Sequence, residues 1–300
     1  MPDHVRAAFE HRASTRLPRG ELWVGSEVFR DLQMGDDVDG HLHLCRDMGM
    51  DLVALPVGAQ QSPGFSYRLS APGDLHGAAG SGLFVAAVLS GPFQRVVDER
   101  GLHDALGAVA RDAAEVAEAV AREATETVRL VEACLGNGAD AVVVAEDVAY
   151  DAGSFFTASL LDQVIYPSQR LLAETIHRCG ALGIFHSCGR IASMIPDIVS
   201  LGFDGLSCQA ECLDLVAVKR TCGDRLTLLT GLSRELLDSD TLSPRHKREF
   251  RRLISDLGEG GGFILSSSSG LHAPHMLRNL RTLYQLADKA FDRAESSAAS

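Results

Sequence analysis

Short, continuous apolar runs recur along the chain, each cut off by Gly, Pro, Ser or an acidic residue. They begin near residues 22, 52, 83, 141, 183, 205, 226 and 263. Runs without polar alternation mark strands buried on both faces, as in a parallel sheet. Between them lie stretches whose apolar residues recur three and four apart, the helical period. Residues 112–135 form the longest clean helix by this criterion. Val116, Val120, Ala124, Val128, Val131 and Leu135 share one stripe, and the other face is charged. Helical spacing also covers 3–11, 37–48, 93–106, 160–179, 191–201, 213–221, 232–257 and 273–290. Gly49 is placed to end the second of these. Pro167 is placed to kink the helix it sits in, and Ser243 with Pro244 to restart another. Residues 58–82 are rich in Gly, Ser and Pro, show no strong period, and read as a long loop of the kind that serves as a lid.

Eight strand-and-crossover units in 300 residues predict an α/β protein, a single (β/α)8 TIM barrel with a short N-terminal helical extension. The expected boundaries are 1–20 for the extension, 21–294 for the barrel and 295–300 for a disordered tail. No G-x-G-x-x-G turn follows any strand, which counts against an open dinucleotide-binding sheet.

Composition narrows the partners. With 46% hydrophobic and 23% charged residues the chain is ordinary globular material. A net charge of −12 disfavours nucleic acid and anionic membrane surfaces, so neither is an expected partner. No apolar run reaches the roughly 20 residues needed to cross a bilayer. Residues 1–19 lack the apolar core of a secretion signal. Seven cysteines at irregular spacing do not make a disulfide framework, and a cytoplasmic location is expected. The oligomeric state stays open, with a homodimer as one candidate.

In a barrel of parallel strands, functional groups gather at the C-terminal strand ends. Here those ends turn small and polar: Ser26 and Glu27, Ser90 and Gly91, Glu146 and Asp147, His186 and Cys188, Cys208 and Gln209, Thr230 and Gly231, and Ser267 to Ser269. Core packing does not explain the same switch in independent segments, so a pocket is expected there. His186 and Cys188 offer a nitrogen and a sulfur to a thiophilic metal. The same pair is compatible with a hydrogen-bonded core histidine and a small buried hydrophobe. Glu146 and Asp147 have the chemistry to polarise or protonate a substrate, or to cap the turns they begin. Ser268, Ser269 and His272 are placed to line the opposite wall. Cys208 is near enough in topology to be a ligand, whereas Cys45, Cys134, Cys179 and Cys222 read as packing.

Several stretches then carry a resemblance: Gly91, Pro92 and Phe93; Gly138, Ala139 and Asp140 with Glu146 and Asp147; His186, Ser187, Cys188 and Gly189; Gly223, Asp224 and Arg225; and the segment from Gly270 to Leu280. In order and spacing the chain resembles the uroporphyrinogen decarboxylase superfamily over nearly its whole length. Within it, the corrinoid-linked methyltransferase branch is the nearer likeness. The resemblance implies an enzyme: a corrinoid-dependent methyltransferase or demethylase acting on a small methylated compound. Zinc would be the metal, and a partner protein would supply the corrinoid. His186 and Cys188 match two zinc ligands of that branch. Its third ligand falls at Ser269, and its acidic residue after the sixth strand falls at Gln209. Cys208, His272 or Glu146 would then have to complete the site. The expected catalytic residues are Glu146, Asp147 and His186, with Ser90, Gln209, Ser268, Ser269 and His272 binding substrate. The arginine-rich motif of true decarboxylases is missing from residues 22–29. Decarboxylation of uroporphyrinogen or another small acid is therefore the alternative, together with a non-catalytic binding barrel whose metal site is incomplete.

Overall fold

Buried on both faces, the apolar runs come together in one curled parallel sheet of a computed structural model that describes residues 3–58, 66–267 and 269–298. Its strands are β1 (Leu52–Pro56), β2 (Phe84–Ser90), β3 (Ala141–Ala145), β4 (Leu182–Ser187), β5 (Gly205–Cys208), β6 (Thr227–Leu232) and β7 (Phe263–Ser267). Each pairs in parallel with its neighbour in the chain. Spatial order therefore equals sequence order, which requires a crossover after every strand.

The expected strand at 22–25 is not regular, so among the described residues the sheet has seven strands and not eight. The segment from Pro18 to Val24 still lies beside both edge strands. Leu265 N donates to Pro18 O at 2.9 Å, Gly20 N to Leu265 O at 3.1 Å, and Asp51 N to Arg19 O at 2.8 Å. Only isolated bridges result, at Arg19 with Leu265 and at Val24 with Leu271. Pro18 has no N–H to give a ladder. Gly20 leaves room where a Cβ would strike the Leu52 side chain.

Helices α1 (Asp3–Phe9) and α2 (Val38–Met48) precede the sheet. The crossovers between its strands include α3 (Pro92–Arg100), α4 (Leu102–Arg111), α5 (Ala113–Gly136), α6 (Tyr166–Arg178), α7 (Leu215–Cys222) and α8 (Pro244–Gly258), with shorter helical turns, and α9 (Pro274–Ala298) follows the last strand. The predicted helix at 93–106 is divided by Gly101, whose φ of +83° suits glycine and ends α3. Helix α5 starts where Asp112 accepts from Ala114 N and Glu115 N; at 24 residues it is one shorter than α9. The kink expected at Pro167 is a π-helical turn, Leu161–Ile165, because the proline ring and its missing N–H interrupt the regular ladder. Of the loop expected at 58–82, residues 59–65 lie outside the described residues, and the remainder holds a short helix at Leu75–Ala78. Among the described residues no helix is long and apolar enough to cross a membrane.

Two apolar layers result. The inner one, enclosed by the sheet, includes Ala54, Ala86, Val143, Ile184, Leu229 and Ile264. The outer one, between sheet and helices, includes Val53, Val85, Val144, Phe185, Leu228 and Leu265. Burying each large side chain stabilises the fold by about 1.5–3 kcal/mol. Helix α1 occupies the N-terminal end of the inner layer. Val5 and Ala8 join that cluster, and the Phe9 ring stacks on Phe84 with centroids 5.9 Å apart. Ala8 O accepts from Gly262 N and Thr227 Oγ1. The polar strand ends lie at the other, C-terminal end.

Candidate functional site

Strand parity decides what faces the interior, since successive side chains point to opposite faces. On β3, Val143 belongs to the inner cluster and Val142 and Val144 to the outer one. Continuing that alternation turns Asp147 inward and Glu146 outward. On β4, Ile184 is inner and Phe185 outer, so His186 and Cys188 turn inward and Ser187 outward. The pairing of Ala145 with His186 places these two strand ends level.

Asp147, His186 and Cys188 come together as a result. One ligand atom from each lies within 4.8 Å of the others, and this is the group of that kind among the described residues. Cys188 Sγ is 3.8 Å from His186 Nε2. Cys188 N donates to Asp147 Oδ1 at 2.7 Å, which fixes the turn after β4. His186 Nδ1 lies 2.9 Å from Ser207 Oγ on β5, leaving Nε2 facing the cysteine. The Trp23 indole packs edge-on against the imidazole, with centroids 4.5 Å apart. Burial pushes the His186 pKa down to about 4, against the opposing charge of Asp147, so the ring is neutral at pH 7. Burial raises the Cys188 thiol well above its ordinary range, and the Asp147 carboxylate adds to the shift. Without a cation the sulfur is therefore a thiol. The donor set is one imidazole nitrogen, one sulfur and one carboxylate oxygen, with a hydroxyl behind the histidine. It fits zinc, whose catalytic sites use three protein ligands and keep a fourth position open.

Glu146 is fully buried but looks away from this group. Its carboxylate accepts from Phe93 N at 3.2 Å and Gln94 N at 2.5 Å, in the first turn of α3, and from Gln169 Nε2 at 2.5 Å. Burial, opposed by those backbone donors, pushes its pKa up to about 8. Cys208 shares the outward parity of Leu206 and sits in the outer core, where burial takes its thiol to about 12. His272 faces Asp238, with Nε2 3.7 Å from Oδ1. None of Glu146, Cys208 and His272 joins the group of three; Asp147 does.

The remaining expected residues are dispersed around the mouth. Gln209 Oε1 accepts from Gly189 N at 3.0 Å, holding the turn behind Cys188. Ser90 Oγ donates to Asp98 on α3 at 3.1 Å. Ser269 is half-buried, and Ser268 lies outside the described residues. Sequence reading missed Trp23 and Ser207, the two neighbours of the His186 ring. Ser207 and Trp23 were visible only as strand residues. Tyr67 packs on the inner cluster from the loop, which no periodicity announces.

Comparison with known proteins follows the same lines. The family described as uroporphyrinogen decarboxylase (URO-D) matches residues 51–290. A methylcobamide:CoM methyltransferase, MtaA of Methanosarcina barkeri, is 23% identical over 154 residues, which is 51% of this chain and 43% of that protein. The match thus spans less than half of the relative's length. A methyltransferase from Methanosarcina mazei shares the fold with a TM-score of 0.74 at 14% identity, over 96% of this chain and 98% of the other. An L-ribulose 3-epimerase gives a TM-score of 0.54 at 15% identity, over 95% and 97%. Identities this low speak for fold alone. The family match covers most of the chain, including every strand described above, and the chain belongs to the uroporphyrinogen decarboxylase (URO-D) family.

Proposed function

We propose that this chain is a zinc-assisted methyltransferase that moves a methyl group between a small methylated compound and a corrinoid carried by a partner protein. The grouping of Asp147, His186 and Cys188 at the C-terminal mouth carries the reading. The similarity to a methylcobamide:CoM methyltransferase supports it.

Bound zinc would supply Lewis acidity and favour the deprotonated form of any sulfur it touches. The chain's own groups do the rest. His186 stays neutral, and with Nδ1 2.9 Å from Ser207 Oγ a proton placed on Nδ1 would leave Nε2 free to ligate. Cys188, whose thiol burial holds protonated, would bind the metal as a thiolate and release its proton to solvent, with the Asp147 carboxylate beside it as the other anionic ligand. In the transfer itself the donor's carbon–heteroatom bond breaks, with its electron pair left on the heteroatom. The acceptor's pair forms the new bond to carbon. A proton delivered from solvent to the departing heteroatom would stabilise it, while Asp147 would serve as the third ligand. Glu146 is a positioning residue in this reading: it clamps α3 to the end of β3 and so fixes where Asp147 points.

The test is metal analysis of the purified protein with methyl transfer to supplied cob(I)alamin followed optically. Stoichiometric zinc is expected, lost in His186→Ala and Cys188→Ala together with turnover. Full activity of metal-free protein would sink the proposal.

A further inference from the structure

The strand positions around the candidate metal group are poor in basic side chains. None of the inward positions of the seven strands carries Arg or Lys. Arginines on the surrounding loops are turned to other partners. Arg68 faces Asp74 at 3.6 Å, Arg190 Nε donates to Asp151 O at 3.0 Å, and Arg234 faces Asp238 at 3.3 Å. Acidic groups do reach the mouth. Asp147 stands in the metal group, and Asp98 accepts from Ser90 Oγ, which continues the inward row of β2. The charge of Asp98 is also felt by Tyr67, whose hydroxyl is pushed up to about 12 by burial and then by that carboxylate.

The same wall is aromatic. Trp23, the single tryptophan of the chain, is 9% exposed and belongs to the inner cluster, against which Tyr67 packs. Its indole touches His186, itself one of the three candidate ligands. Aromatic faces beside carboxylates favour cations, above all quaternary ammonium groups that shed little hydration on entry. A sulfonate or carboxylate brought to this wall would meet like charge, with no Arg or Lys on the inward strand positions of the described residues to offset it.

We infer that the pocket selects cationic over anionic ligands, its class being small methylated ammonium compounds held by Trp23, Tyr67 and Asp98. This rests on reading the strand-end mouth as the substrate pocket. It does not depend on zinc being bound.

Direct binding tests it, with three probes of similar size: tetramethylammonium, tert-butanol and methanesulfonate. Each is titrated into metal-free and zinc-loaded protein and followed by calorimetry or ligand-observed NMR. Tetramethylammonium should bind metal-free protein roughly tenfold more tightly than methanesulfonate, the worth of about 1.4 kcal/mol of cation–π and charge attraction. Asp98→Asn, which preserves shape, should weaken tetramethylammonium and leave tert-butanol unchanged. Trp23→Leu should weaken it too, and Tyr67→Leu provides a second aromatic deletion should the Trp23 variant fail to fold. Methanesulfonate binding as tightly as tetramethylammonium to metal-free protein would overturn the inference. So would no binding of any probe, or an unchanged tetramethylammonium affinity in Asp98→Asn and the folded aromatic variants. A protein that holds no zinc but keeps the ordering would refute the proposed chemistry alone. Zinc-dependent turnover with the reverse ordering would refute only the charge selection.

Discussion

Two adjacent acids, Glu146 and Asp147, show how much one position decides. Both end the same apolar run, and composition gives them equal claims. Alternation along β3 separates them: one meets the amides that open α3, the other meets His186 and Cys188. The rule needs a known inward residue to set the phase: Val143 in the inner cluster supplies it, and the pairing of Ala145 with His186 carries it across to β4. Register between distant strands is not written in either strand alone. For the same reason Cys208 looked like a ligand, although its pairing with Ser187 places it on the outward row. The histidine and cysteine were legible because they sit i, i+2 on one strand, which shares a face whatever the phase. Asp147→Asn is expected to lower zinc affinity by tenfold or more, in line with the loss of one of three ligands. Cys208→Ala is expected to leave zinc affinity unchanged. Competition with a chromogenic chelator measures both, and a metal site sensitive to Cys208 but not to Asp147 would reject this assignment.

At the scale of elements, the strands and long helices could be read because each buries a continuous run or a periodic stripe. What could not be read were the junctions, where a single contact decides. The turn from β2 to α3 is one such junction. Gly91 has an ordinary extended conformation, so backbone strain does not require glycine there. Space does, because a Cβ at Gly91 would overlap the Glu146 carboxylate. That carboxylate in turn satisfies two of the amide groups that a helix start leaves without partners. Gly91→Ala is therefore expected to destabilise the protein by about 1–3 kcal/mol, the usual range for overpacking a filled site. In a Glu146→Ala background the same substitution should cost clearly less, since the overlapping atoms are gone. Urea denaturation of the four proteins gives the coupling. Additive effects of the two changes would show that the contact does not set the junction.

Across the whole molecule, the feature that pattern reading got wrong is the closure of the sheet. An eighth strand was expected at 22–25, and an irregular segment stands there instead, held by side chains more than by a ladder. Arg19 donates to Gly49 O at 2.9 Å, meets Asp288 of α9 at 2.9 Å and lies over the Tyr284 ring at 4.6 Å. Glu21 accepts from Ser267 N at 3.1 Å at the end of β7, from the Ser267 hydroxyl, and from Tyr284 Oη of α9 at 3.2 Å. One carboxyl group thus ties the closing segment to the last strand and the last helix. It is 3% exposed, and burial pushes its pKa up to about 7 in spite of its three donors. The folded state then holds this proton more tightly than the unfolded chain, where the carboxyl titrates near 4.5. Its contribution to stability is fully present below about pH 4.5 and is lost as pH rises through 7, a change of roughly 3 kcal/mol for that spread. His186, depressed to about 4, acts with the opposite sign, but only below its unfolded value of 6.5. Between pH 6.5 and 8 His186 contributes little and the ionisation of Glu21 still lowers stability; Glu146, raised to about 8, titrates in the same interval but is common to the parent and a Glu21 variant. Glu21→Gln keeps the shape and cannot ionise, so its unfolding free energy should fall less than that of the parent protein over this interval. Urea unfolding at pH 6.5 and 8 in matched salt gives both slopes. Parallel slopes would mean that Glu21 ionises at an ordinary carboxylate pKa, and that the closing segment is held in a wetter setting than its burial indicates.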